Sequence, residues 1–82
     1  MKKVIRFTAS WCQPCKAMAS ILEEIDTNIP IEVVDIDKQQ DVAIEYGIRG
    51  VPTLVKVDDN GNVTDRMVGI RAKNLVEEFL ND

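Results

Sequence analysis

Phe7-Thr8-Ala9-Ser10-Trp11-Cys12-Gln13-Pro14-Cys15-Lys16 is the stretch on which the reading of this 82-residue sequence turns. Ahead of the cysteines, Val4-Ile5-Arg6-Phe7-Thr8 is short, rich in β-branched and aromatic residues, and stops at Ala9-Ser10, which predicts a strand running into a turn. Behind them, Cys15, Met18, Ile21, Leu22 and Ile25 recur at three- and four-residue spacing, the pattern of a helix with one buried face. Pro14 suits the first turn of that helix, where a missing N–H costs nothing, and Pro30 marks its far limit. Both thiols therefore stand where a strand passes into a helix.

Further along, Ile31 to Ile36 is a second apolar, β-branched run, so the helix joins two strands that a right-handed crossover makes parallel. Asp37 is placed to cap a short helix from Gln39 to Tyr46, with Val42, Ala43 and Tyr46 on one side and Gly47 as its stop. Thr53 to Val57 and Val63 to Val68 flank the turn signal Asp58-Asp59-Asn60-Gly61, which predicts an antiparallel hairpin. Leu75, Val76, Phe79 and Leu80 give a closing amphipathic helix. The order is βαβαββα, an α/β fold. No repeat, linker or low-complexity tract divides it, so residues 1–82 are expected to form one domain.

Composition narrows the function. A hydrophobic fraction of 45% with 29% charged residues belongs to an ordinary folded chain and not a disordered one. Ten Lys and Arg against 14 Asp and Glu leave a net charge of −4 and no basic stripe, which argues against nucleic acid. The apolar run after Lys2-Lys3 is broken by Arg6 and too short for a signal peptide, and no run is long enough to span a membrane. A cytoplasmic location is expected, where thiols are held reduced.

At a helix N-terminus the orphan N–H groups and the positive end of the macrodipole favour an anion, so Cys12 is expected to have a lowered pKa and to be the exposed nucleophile. Cys15, one turn further in, is placed to resolve the mixed disulfide that such an attack forms. Zinc is the main competing use of this spacing. A structural zinc site needs four ligands, and the chain offers two cysteines and no histidine. A purely structural disulfide is the other, although a loop of about four residues stabilises by only roughly 2 kcal/mol.

The quoted stretch resembles the active site of the thioredoxin family, which usually has Gly where Gln13 stands, and Tyr46-Gly47-Ile48-Arg49-Gly50-Val51-Pro52-Thr53-Leu54 resembles that family's cis-proline segment. Val68-Gly69 is similar to its groove-lining glycine segment and Asp58 to Gly61 to its hairpin turn, so the likeness covers nearly the whole chain. It implies a thioredoxin-like four-stranded mixed sheet with helices on both faces, ordered second, first, third, fourth strand. It implies a cis bond before Pro52 that brings the Val51 backbone against Cys12 to pair with a substrate strand. Trp11, Gln13, Pro14 and Gly69 would border that groove, and Met67, Val68 and Ile70 would be strand core or groove wall. The redox group would be the Cys12-Cys15 disulfide with no separate cofactor or metal. Partners would be protein disulfides and a thioredoxin-reductase-like donor, met by a monomer.

Three departures qualify the likeness. The family's extra N-terminal strand and helix are missing, which leaves a core of the size shared with glutaredoxins. Arg6 stands where the family usually has a buried aspartate that takes the proton of the second cysteine, and Val33 where its lysine partner falls. Arg6 then either stabilises a thiolate by charge or snorkels to the sheet face that the missing helix leaves uncovered. Lys16 either adds positive charge beside the thiolate or is a solvated helix-face lysine. Ser20 replaces a helix-kinking proline. Protein-disulfide reduction is the leading function. Glutathione-dependent reduction, as in glutaredoxins, and a redox-independent module docking on a larger enzyme are the competitors.

Overall fold

The computed structural model describes residues 2–82. Seven elements follow in the expected order: β1 (Lys3–Thr8), α1 (Gln13–Glu23), β2 (Ile31–Asp35), α2 (Gln40–Glu45), β3 (Thr53–Val57), β4 (Val63–Val68) and α3 (Lys73–Asn81). The sheet order is β2-β1-β3-β4. β1 pairs parallel with β2 and antiparallel with β3, which pairs antiparallel with β4.

Alternation along β1 sorts two cores. Val4 points to one face, where Met18 of α1, Leu54 of β3 and Val76, Phe79 and Leu80 of α3 meet it. Ile5 and Phe7 point to the other, against Val34, Val55 and Val57, with Val42 and Tyr46 at α2 closing over them. Helices thus cover both faces. The same alternation puts Arg6 on the face of Val4, beneath α1, so the expectation that it reaches an uncovered face is corrected. Its side chain lines a cavity with Ala19, Leu22 and Glu23 of α1 and with Ile31 and Val33 of β2.

Register gathers one end of the sheet. Thr8 lies opposite Asp35, Phe7 opposite Thr53, and Thr53 opposite Val68. The segments that follow β1, β2 and β4 and precede β3 therefore all emerge together. Those segments carry Cys12, Asp37, Gly69 and Val51-Pro52.

Local details differ from the periodic reading. α1 ends at Glu23, and Ile25 packs into the core from outside the helix, so the apolar spacing outlasts the helical backbone. α1 passes unbroken through Ser20, whose hydroxyl donates to the Lys16 carbonyl at 3.3 Å. α2 starts from Gln39 with no side-chain cap, so Asp37 is not its cap. Leu75 lies on the exposed side of α3, whose inward face is Val76, Phe79 and Leu80.

The hairpin turn is held by a carboxylate. Asp58 accepts the backbone N–H groups of Asn60 and Asn62, each at 2.9 Å, while Gly61 takes the positive φ of 83° that the turn needs. The Asn62 backbone bond leads the causes that hold the Asp58 carboxyl below the usual aspartate value of 3.8. A depressed carboxyl contributes stability that is full above its unfolded value and is lost as pH falls through its folded one. Asp58→Asn is therefore expected to unfold at lower urea than the wild type at neutral pH, with the two midpoints converging in acid. A gap unchanged across that range would remove the charge from the account.

Candidate active site

At the end of β1 the chain turns back on itself, the Cys12 N–H donating to the Ala9 carbonyl at 3.2 Å. Cys12 is extended, with φ −96° and ψ 108°, and is the N-cap of α1. Its side chain takes the place usually filled by a serine or aspartate oxygen, because the Cys15 N–H donates to Cys12 Sγ at 3.1 Å. Gln13 and Pro14 form the exposed first turn. Cys12 and Cys15 are joined as a disulfide, their Cα atoms 5.2 Å apart.

Both sulfurs sit in a small apolar cluster. Ala9, Cys12 and Cys15 pack together, with Ile36 and Val51 against them. Cys12 is 4% exposed and Cys15 2%, so the expected contrast between an exposed first and a buried second cysteine is absent in the disulfide. What distinguishes them is the N–H that only Cys12 accepts.

Val51 and Pro52 arrive from the opposite side. The bond between them is cis, and Cys12 Sγ lies 3.7 Å from the Val51 carbonyl oxygen, a path along which the reduced thiol donates. Pro52 is buried, and its carbonyl accepts the Gly69 N–H at 2.8 Å. Gly69 has φ 83°, a left-handed backbone in which any side chain would be strained, while the nearest atom to a Cβ there is the movable end of Arg71 at 3.2 Å. Val68 and Ile70 on either side are exposed, whereas Met67 packs into the α1 and α3 core.

Trp11 stands on the β2 side of the disulfide. Its ring is 65% exposed, yet its Nε1–H donates to the Asp37 carboxylate at 2.8 Å. Asp37 is the site residue that sequence reasoning misplaced. It holds an indole 26 positions away, and the one available signal was an acid just beyond the strand that neighbours the Trp11 loop.

The two cations differ in setting. Lys16 is exposed on the first turn of α1. Arg6 is half-buried against the middle and far half of α1, and burial lowers its pKa from the ordinary arginine value. No carboxylate pairs with it among the described residues. Among those residues, no three His, Cys, Asp or Glu side chains are grouped to hold a metal ion, and no helix is long and apolar enough to cross a membrane.

A βαβ unit that delivers a Cys-x-x-Cys to a helix N-terminus, faced by a cis-proline loop, defines a thiol-disulfide oxidoreductase. The chain belongs to the thioredoxin family, whose family model matches residues 1–82. It is 38% identical over 79 residues to thioredoxin of Bacillus subtilis (strain 168), covering 92% of this chain and 75% of that one. To mitochondrial thioredoxin of Mus musculus it is 40% identical over 81 residues, covering 94% of this chain and 48% of that one, so it spans about half the length of that relative. Among solved structures, a mutant thioredoxin from Halobacterium salinarum NRC-1 superposes with a TM-score of 0.88 at 31% identity, covering 96% of this chain and 71% of that one.

Proposed function

We propose that this chain is a protein-disulfide reductase acting as one domain over residues 1–82, with Cys12 as nucleophile and Cys15 as resolving thiol. The Cys15 N–H aimed at Cys12 Sγ carries this reading. A thiolate accepts such a bond more strongly than a neutral sulfur, so the helix N-terminus favours the anion at Cys12.

In the dithiol form, the Cys12 thiolate attacks one sulfur of a substrate disulfide, and the other leaves as a thiolate that takes a proton. Cys15 then gives up its proton and attacks the Cys12 sulfur of the mixed disulfide. That step frees the second substrate thiol and closes Cys12-Cys15. Two electrons have passed to the substrate, and a dithiol donor of the thioredoxin-reductase kind returns them. Ala9, Ile36 and Val51, which pack with the two cysteines, are apolar and supply no general base, so the Cys15 proton passes through water to the departing substrate sulfur. The Val51 backbone pairs with the substrate strand, bordered by Trp11, Gln13, Pro14, Pro52 and Gly69. The working form is a monomer in a reducing compartment, which we take to be the cytoplasm.

Equilibration with a glutathione redox buffer tests the direction of flow. A potential close to that of thioredoxin, about −270 mV, is expected; one near the oxidant extreme, about −120 mV, overturns the reading. Recharging by glutathione in preference to a thioredoxin reductase would make it glutaredoxin-like instead. Lys16 and Arg6 favour the thiolates by charge, Arg6 from beside Ala19, Leu22 and Glu23, about one to two helical turns beyond Cys15. Arg6→Met is accordingly expected to raise at least one thiol pKa, read by the absorbance of the thiolate during titration. Identical titrations would strip Arg6 of that role.

A further inference from the structure

We infer that this protein selects disulfides flanked by acidic residues, binding a substrate carboxylate between Arg49 and Arg66 beside the groove; the inference rests on the reductase reading. Its starting point is a charge asymmetry. From Tyr46 to Val57 and from Arg66 to Val76 the chain carries five cations and no carboxylate, while all 14 acids lie elsewhere. Of these five, Lys56 is buried against Phe79, Arg71 lines a cavity with Asp65 and Glu78, and Lys73 opens α3, which leaves Arg49 and Arg66 beside the cis-proline loop.

The fold focuses two of these cations on one concavity. Gly47, Ile48, Arg49 and Gly50 from the loop entering β3, Thr53 at the start of that strand, and Arg66 and Val68 from β4 line it, and no acid does. Strand alternation turns Arg66 and Val68 to the α2 side and Asp65 to the other, where it lines a separate cavity near α3. Arg66 is held in place by donating from Nη2 to the Tyr46 carbonyl at 3.2 Å, which leaves its other N–H groups for a ligand. The Arg49 side chain makes no hydrogen bond or ion pair among the described residues and is exposed. Gly50 is the residue before Val51, whose carbonyl lies 3.7 Å from Cys12 Sγ. A substrate strand laid along Val51 therefore passes the concavity within about two residues of its reacting sulfur, at roughly 3.3 Å per residue.

Two forked guanidinium groups and small apolar walls fit one or two Glu or Asp side chains on an extended segment. Such rim charges act on encounter and on choice of partner more than on chemistry, so their effect belongs in kcat/KM and falls with salt.

The test compares two disulfide peptides of the same sequence, one with Glu flanking the cysteine and one with Gln, reduced by the full chain with a dithiol regenerant. A small neutral aromatic disulfide is run alongside. The Glu peptide is expected to show a kcat/KM about tenfold higher at low ionic strength, the advantage shrinking in added salt. Arg49→Glu, which disturbs no structural contact, is expected to reverse that preference, and Arg66→Gln to weaken it. Equal rates for the two peptides, or a preference that survives Arg49→Glu, overturn the inference while the reductase reading stands. Failure to reduce the small disulfide as well overturns the reading beneath it.

Discussion

Cys12→Ser is expected to abolish disulfide reduction, while Cys15→Ser leaves the first attack intact and arrests the protein as a mixed disulfide with its substrate. The asymmetry follows from the site. A serine hydroxyl at position 12 still accepts the Cys15 N–H and still caps α1, so the fold should hold. Its alkoxide is far less accessible at neutral pH than a thiolate, and turnover should fall by about three orders of magnitude or more, to the background of the assay. With position 15 changed, the Cys12 thiolate forms the intermolecular bond but nothing nearby displaces it. Non-reducing electrophoresis reads the difference directly: a covalent adduct with Cys15→Ser, none with Cys12→Ser, none with both changed. An adduct through position 15 in the Cys12→Ser chain would reverse the assigned roles. Retention of biological function by the doubly substituted chain would mean that docking, and not exchange, is what this protein contributes.

Much of this was readable because local chemistry and global fold agree. The hairpin strands fall at Thr53–Val57 and Val63–Val68 as read, since β-branched runs meet a turn whose Asp and Gly supply a side-chain acceptor and a positive φ. The cysteine pair was legible for the same reason: strand, turn, proline and helix periodicity lie within a few positions of it.

What escaped was set by partners distant in sequence. Asp37 has the right offset to cap α2, but an indole N–H 26 positions away takes its carboxylate, and nothing in the local pattern distinguishes the two uses. Ile25 keeps the helical spacing though the helix stops at Glu23, because the core reaches it through the chain that follows. Cys12 was expected to be exposed from its place at a helix start. Val51, brought in ahead of β3, faces its sulfur, and Ile36, just past β2, packs against the cluster it forms with Ala9 and Cys15. Lys56 lies in a strand expected to be core and is buried there, its ammonium 4.7 Å from the Phe79 ring centre, a cation-π contact that depends on where α3 docks. Arg49 and Arg66 likewise come to one concavity only through the loop after α2, whose Tyr46 carbonyl accepts from Arg66 across 20 positions.

The largest effect on stability is expected at Phe7. It is fully buried in the β1 row that faces α2, among Ile5, Val34, Val55 and Val57, with its ring 5.7 Å from that of Tyr46 at a tilt of 54°. Phe7→Ala removes that volume from a sheet interior whose backbone is fixed by pairing on both sides, to Val34 and to Thr53, so the space has little freedom to collapse. The cost should be about 3 to 5 kcal/mol. A chain of this length has on the order of 4 to 12 kcal/mol in total. The thermal midpoint is then expected to drop by roughly 12 °C or more, followed by far-UV circular dichroism. Ile44→Ala is the matched control, because that side chain is 78% exposed and its loss should move the midpoint by little. The prediction bears on function as well as on folding. Phe7 is five residues from Cys12, on the strand that sets the height of the cysteine loop against Val51, so loosening its core should weaken the contact between Cys12 and the cis-proline loop before the chain unfolds. Disulfide reduction by Phe7→Ala should accordingly decline at temperatures below its midpoint. A variant that kept wild-type turnover up to that midpoint would show that the site is held by the α1 and α3 core alone.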